Sequence, residues 1–297
     1  VTYSIIGRDD ESGALGIAVQ SRWFHAGEDL AWIEPGVGAV CTQAFLEPSY
    51  GPLSLALLRH GRSPESALAE LTASDEGRDL RQVAVMSAGG AVAQHTGARC
   101  VRAAGDAVGR SCCAQGNMLA NESCWPAMVE AFDAGEGDLV DRLLGALDAA
   151  EVEGGDARGR QAAAVLVRPA AATGVPWRDR VLDLRVVDHP RPVSELRRLV
   201  TVHRAYGMLA SAFDLAERDD LDGAVAAAES AQVLVPGEDQ IAFWRATLLA
   251  RAGRLTDARA ALDLAASVHP AWVDFVGRCI EAGILPSDAV ELVARST

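Results

Sequence analysis

The order of sequence patterns predicts an α+β protein: two antiparallel sheets covered by helices, then an all-helical repeat region. Three observations carry this. Strand-like runs rich in β-branched residues occur in groups separated by pairs of helical segments, not alternating one for one with helices. Turn clusters join neighbouring runs at hairpin spacing. Beyond about residue 205 the chain becomes alanine-rich and repeats at an offset of 34 residues.

The elements follow in order. TYSIIG (2–7) and ALGIAVQS (14–21) flank the turn cluster RDDESG (8–13) and predict a hairpin. PGVGAVCTQAF (35–45) predicts a third strand, broken by EPSYGP (47–52). A helix over 53–61 stops at Gly61. A second, over 63–74, opens with Ser63 as N-cap and Pro64 at the first helical position, where its missing N–H costs nothing. RQVAVMS (81–87) and AVAQHTG (91–97) form a hairpin around Ala88-Gly89-Gly90. RSCCAQGNML (110–119) is a short strand running into a loop, followed by helices near 123–134 and 138–150. The glycine-rich loop GGDARGRQ (154–161) precedes strands over 162–167 and 180–187 and a helix over 193–209. In the repeat, Leu221, Ala224, Ala231 and Pro236 recur as Leu255, Ala258, Ala265 and Pro270. Small residues at helix crossings and a terminating proline fit tetratricopeptide-like hairpins. Met208 and Ala242 stand where a large aromatic usually opens such a repeat, so the reading is two degenerate repeats and a tail, 271–295.

Composition narrows function. A formal charge of -14 repels phosphate backbones and anionic lipids, so neither nucleic acid nor a membrane is expected as partner. All 27 basic residues are arginine, which leaves no lysine amine for Schiff-base or general-base work. The six cysteines form no C-x-x-C pair and no histidine accompanies them at zinc spacing; free thiols in a cytoplasmic setting and no metal are expected. No P-loop, G-x-G-x-x-G or G-x-S-x-G pattern occurs, so no nucleotide cofactor and no Ser-His-Asp elbow is expected.

The candidate nucleophile is Thr2. A threonine at a free amino terminus combines nucleophile and base, because its own α-amine can accept the hydroxyl proton. Val1 is how a GTG start codon reads literally, and removal of an initiator before a small residue would expose Thr2. The other reading of Thr2 is an ordinary strand threonine.

TYSIIGRD (2–9), GIAVQSRWFHAG (16–27), GVGAVCTQAFLEPSYG (36–51), RQVAVM (81–86), HTG (95–97), AQGNMLA (114–120), GGDARGRQ (154–161) and DLRVVDHPRPVSELRRL (183–199) resemble the family catalogued as domain of unknown function 1028. That family is similar to N-terminal nucleophile (Ntn) hydrolases. The resemblance implies an Ntn-hydrolase-like four-layer αββα sandwich over residues 1–204, followed by a tetratricopeptide-like domain over 205–297. It also implies delivery of residue 2 to a cleft between the sheets. Three positions depart from the family's habit: Glu47 for Asn, Ala162 for Ser, and Arg22 near a frequent Lys. Arg22 supplies charge but exchanges no proton.

The expected reaction is cleavage of a C–N amide bond in a small amide or peptide-like substrate. Asn117 and Gln43 are the candidate oxyanion donors, or caps of their loops. Arg22, Asp156, Arg158 and His25 are the candidate substrate contacts. Asp156 and Arg158 grip amine and carboxylate, or form a structural ion pair or a solvated turn; His25 lines the cleft, or packs against Trp23 and Phe24. The repeats would serve a protein partner or self-association. The alternative for the whole chain is a non-catalytic binding or scaffold protein.

Overall fold

The computed structural model describes residues 2–292. Val1, whose removal the reading of Thr2 requires, and the end of the 271–295 tail lie outside the described residues. Contacts divide the chain into two units, Val1–Arg197 and Arg198–Thr297.

The first unit is mixed α/β with two antiparallel sheets. One has six strands: β1 (Thr2–Arg8), β2 (Leu15–Ser21), β7 (Gly105–Val108), β8 (Cys112–Asn117), β9 (Ala162–Arg168) and β10 (Leu182–Val186), in the order β10-β9-β2-β1-β8-β7. The other has four, in sequence order: β3 (Ala31–Glu34), β4 (Gly38–Ala44), β5 (Arg81–Ser87) and β6 (Val92–Thr96). Helices α1 (Tyr50–Arg59) and α2 (Pro64–Ser74) cover the four-stranded sheet, burying Leu55, Leu58 and Leu68 against Val40, Val83 and Val85. Helices α3 (Cys124–Ala134) and α4 (Leu139–Val152) cover the six-stranded sheet. Each wholly buried aliphatic side chain favours the folded state by about 1.5–3 kcal/mol over exposure.

Strand alternation sorts β1 in two. Tyr3, Ile5 and Gly7 face the helices; Thr2, Ser4 and Ile6 face the opposite sheet. Gly7 is the cross-strand partner of Gly16. An added Cβ at Gly7 would lie 2.5 Å from the Phe132 ring, and at Gly16 2.5 Å from Leu143. The glycine pair is therefore the seat on which α3 and α4 settle. Gly7→Ala should lower stability by about 1–3 kcal/mol through overpacking; an unchanged thermal midpoint would contradict that seat.

Sequence expectations and structure agree on most of these elements. The Ser63 side chain accepts the Ser66 N–H at 3.2 Å and Pro64 opens α2, as its residues predict. Two strands were not expected. β3 and β7 have four residues each and lie at sheet edges, too short for an alternation to register.

The second unit is helical. α5 (Pro192–Glu217) carries the chain into it, longer than the expected 193–209, because nothing breaks the helix before Asp219, which takes a positive φ of 66°. α6 (Leu221–Leu234), α7 (Asp239–Arg251), α8 (Leu255–Val268) and α9 (Ala271–Glu281) follow. The sequence offset of 34 is kept: α6 and α8 have 14 residues each and both begin at the repeated leucine. Ala224, Ala231, Ala258 and Ala265 are wholly buried, as close helix crossings require. No helix among the described residues is long and apolar enough to cross a membrane.

Candidate functional site

Polarity changes along the layer between the two sheets. At one end Ile6, Ile17, Cys113, Ala39 and Met86 pack together. Moving along the same faces in steps of two, the residues become Ser4, Gln115 and Cys41, then Thr2, Asn117, Gln43 and Gln82. Buried amides must find partners, and here they find one another. Gln43 and Asn117 both donate to Gln82 Oε1, at 2.7 and 2.9 Å. Gln82 Nε2 is shared among Thr96 Oγ1 and the carbonyls of Gly105 and Gly116, at 2.8–3.1 Å. Gln43 also receives the Ser4 hydroxyl at 2.8 Å and donates to the Thr2 carbonyl at 3.2 Å.

Thr2 stands at the end of this layer. Register fixes its surroundings. The Arg8 N–H reaches the Ser111 carbonyl, so even-numbered residues of β1 exchange ladder bonds with β8 and Thr2 is bonded opposite Asn117. Toward β2, Thr2 and Ser21 form a non-hydrogen-bonded pair, the arrangement in which side chains approach most closely. Their hydroxyls are 2.9 Å apart. Both line a cavity of about 380 Å³, with Trp23, Leu30, Ala44, Phe45, Leu46, Met118 and Arg158. Its wall is mostly apolar, with Thr2, Ser21 and Arg158 the polar lining residues.

The expected site residues divide. Thr2 and Arg158 line the cavity. Gln43 and Asn117 are wholly buried below Thr2, their NH₂ groups engaged with Gln82. Asp156 is buried and holds the loop: its carboxylate accepts the backbone N–H groups of Arg22 and Arg158, each at 2.8 Å, and lies 3.5 Å from Arg158 Nε. Arg22 is exposed, its guanidinium donating to Gln161 Oε1 at 3.0 Å. His25 pairs with Glu28 at 2.8 Å and is not among the cavity-lining residues. Of the family departures, Ala162 lies directly across β2 from Ser21. Glu47 is held below the ordinary carboxylate range by hydrogen bonds from Ser49.

Sequence reasoning missed Ser21, Gln82 and the apolar wall. Ser21 follows from the hairpin register once the turn length is known. Gln82 had a signal: Gln43, Gln82, Gln94 and Gln115 place an amide in each of four strands, a costly choice for a half-buried surface unless the amides meet.

One backbone group completes the geometry. The Thr42 N–H reaches the Leu30 carbonyl at 2.9 Å beyond the end of β3. Two residues on, strand alternation turns the Ala44 N–H toward the same edge, past the last residue paired with β3. Ala44 has a φ of 71° and lines the cavity. The burial that raises Cys41 to about 11 leaves that thiol un-ionised at neutral pH, and burial also pushes Cys113 well above the ordinary thiol value. Neither lines the cavity.

The family of unknown function (DUF1028) matches residues 2–196. The crystal structure of protein SPO2555 from Silicibacter pomeroyi, described under the same family model, is similar with a TM-score of 0.61 and 34% identity, covering 67% of this chain and 87% of that one. No curated protein matches the chain.

Proposed function

The chain belongs to the family of unknown function DUF1028, and we propose that it is an Ntn amidohydrolase with Thr2 as nucleophile once residue 1 has been removed. The observation that carries this reading is the Thr2 hydroxyl, placed by the first strand at the polar end of the inter-sheet layer and opening on a cavity beside Ser21. The layering of helix pair, sheet, sheet and helix pair supports an Ntn-hydrolase-like sandwich, and the kept 34-residue offset supports a tetratricopeptide-like second unit suited to a protein partner.

In the proposed reaction Thr2 Oγ attacks the carbonyl carbon of an amide while its proton passes to the α-amine. The tetrahedral oxyanion takes the Ala44 N–H, a backbone donor at the cavity wall. The α-ammonium then protonates the leaving amine as the C–N bond breaks, and water hydrolyses the acyl ester. Ser21 orients Oγ. Gln43, Asn117 and Gln82 hold the strand end that carries Thr2.

Arg158, steadied by Asp156, is positioned for a substrate carboxylate, and the apolar wall for a hydrocarbon group. Arg158→Gln should therefore raise KM for carboxylate-bearing amides by about 10–100-fold with kcat little changed. Equal KM values for the two proteins would remove Arg158 from binding.

The reading as a whole is tested on protein whose first residue is verified by intact mass as Thr2. A panel of N-acyl and peptide-like amides is screened for amine release, and a quenched reaction is examined for an acyl group on Thr2. Turnover with an adduct there is the expected result. Turnover that leaves residue 2 unmodified would overturn it.

A further inference from the structure

We propose that the second unit holds a binding site for a small organic cation, an alkylammonium with apolar substituents, in the hollow between α7, α8 and α9. Asp239, Gln240, Trp244, His269, Ala271, Trp272 and Phe275 line a cavity there of about 570 Å³. That is within the range of small-molecule sites, roughly 300–1,000 Å³, and far larger than a bare metal ion needs.

Three features give the hollow its chemistry. The first is the aromatic wall. Phe243 is wholly buried and forms the backing, stacked on Trp272 with ring centroids 4.5 Å apart. Trp272 and Phe275 meet at 87° with centroids at 5.7 Å, forming a corner. Trp244 stands edge-on to Phe243 at 5.2 Å. These three wall rings are only partly buried, unlike a closed aromatic core.

The second feature is the pinning of that wall. Trp272 Nε1 donates to Asp239 Oδ2 at 2.8 Å, and His269 Nδ1 lies 2.7 Å from the same oxygen. An indole held by its N–H cannot turn, so its position is set before a ligand arrives.

The third feature is charge. Those hydrogen bonds, led by Trp272, keep Asp239 below the ordinary carboxylate range, so it is negative at neutral pH. Glu238, bonded to Tyr206 at 2.9 Å, is the adjacent residue. Ring faces carry negative potential and attract a cation within about 6 Å of their centroids. A carboxylate beside perpendicular rings favours a cation over an anion or a neutral group. His269 is the group of opposite sign when protonated, and it is already turned to Asp239.

The test uses the full chain and three probes: choline, its neutral isostere 3,3-dimethylbutan-1-ol, and 3,3-dimethylbutanoate. Binding is read from the Trp272 indole N–H resonance and from tryptophan fluorescence. Choline is expected to give saturable shifts confined to Trp244, Trp272 and their neighbours, with the neutral isostere at least about tenfold weaker and the carboxylate not binding. Asp239→Asn is expected to weaken choline about tenfold or more while circular dichroism is unchanged. Equal affinity for choline and the alcohol, tighter binding of the carboxylate, or no saturable shift with choline would each overturn the proposal. Because the unaltered protein separates the three probes, the outcome does not depend on the variant folding.

Discussion

Thr2→Ala should abolish amide hydrolysis, with kcat/KM falling roughly 10⁴-fold or more, the scale seen when a nucleophile is removed from other covalent hydrolases. Thr2→Ser should keep measurable turnover, since the hydroxyl and the α-amine both remain. Stability should change little in either, because the pair with Ser21 is one hydrogen bond at the end of a strand. A third protein sharpens the result. Retention of a residue ahead of Thr2 leaves the hydroxyl in place but converts the amine to an amide, which cannot act as a base at neutral pH. It should be as inactive as Thr2→Ala. Activity in that protein equal to the processed form would mean that the base is another group, and the mechanism drawn above would fail.

Gln82→Leu should be the most destabilising single change in the first unit outside its aliphatic core. The leucine approximates the volume but removes the acceptor for Gln43 and Asn117 and the donor for the Gly105 and Gly116 carbonyls. Unsatisfied buried groups cost about 1–3 kcal/mol each and do not add fully, so the expected loss is about 3–5 kcal/mol. For a unit of this size that is a fall in Tm of roughly 6–20 °C. A double-mutant cycle distinguishes a lost network from a poor fit: Gln82→Leu with Asn117→Leu should cost less than the sum of the two, because each then lacks a partner to disappoint. Simple additivity would show that the amides do not act as a group.

Legibility in the sequence followed length and repetition. Seven-residue strands buried almost throughout, such as β4 and β9, leave a run of apolar and small residues; four-residue edge strands with a glycine and an aspartate, such as β7, do not. The start of α2 was readable because Ser63 and Pro64 act through local geometry alone. Thr2 was readable as a candidate because the proposed chemistry depends on its place in the chain. Its support was not. The pairing of Gln43 and Asn117 with Gln82 joins three strands of two different sheets, and nothing local in any of them signals the others. The Ala44 N–H was invisible for a related reason, since its setting depends on where a neighbouring strand stops.

The cross-sheet amides also fix how the halves of the sandwich may slide. Slipped by four residues, Gln82 would face Ile6 and Cys113, and several hydrogen-bonding groups would be stranded in a dry interior. Grease alone tolerates many alignments; this mixture tolerates one. The position of Thr2 is thus set by side chains buried beneath the cavity, which leaves Trp23, Phe45 and Met118 free to be exchanged for other shapes without moving it. A lineage could change what the hollow accepts many times over while the hydroxyl at its floor stayed where it was.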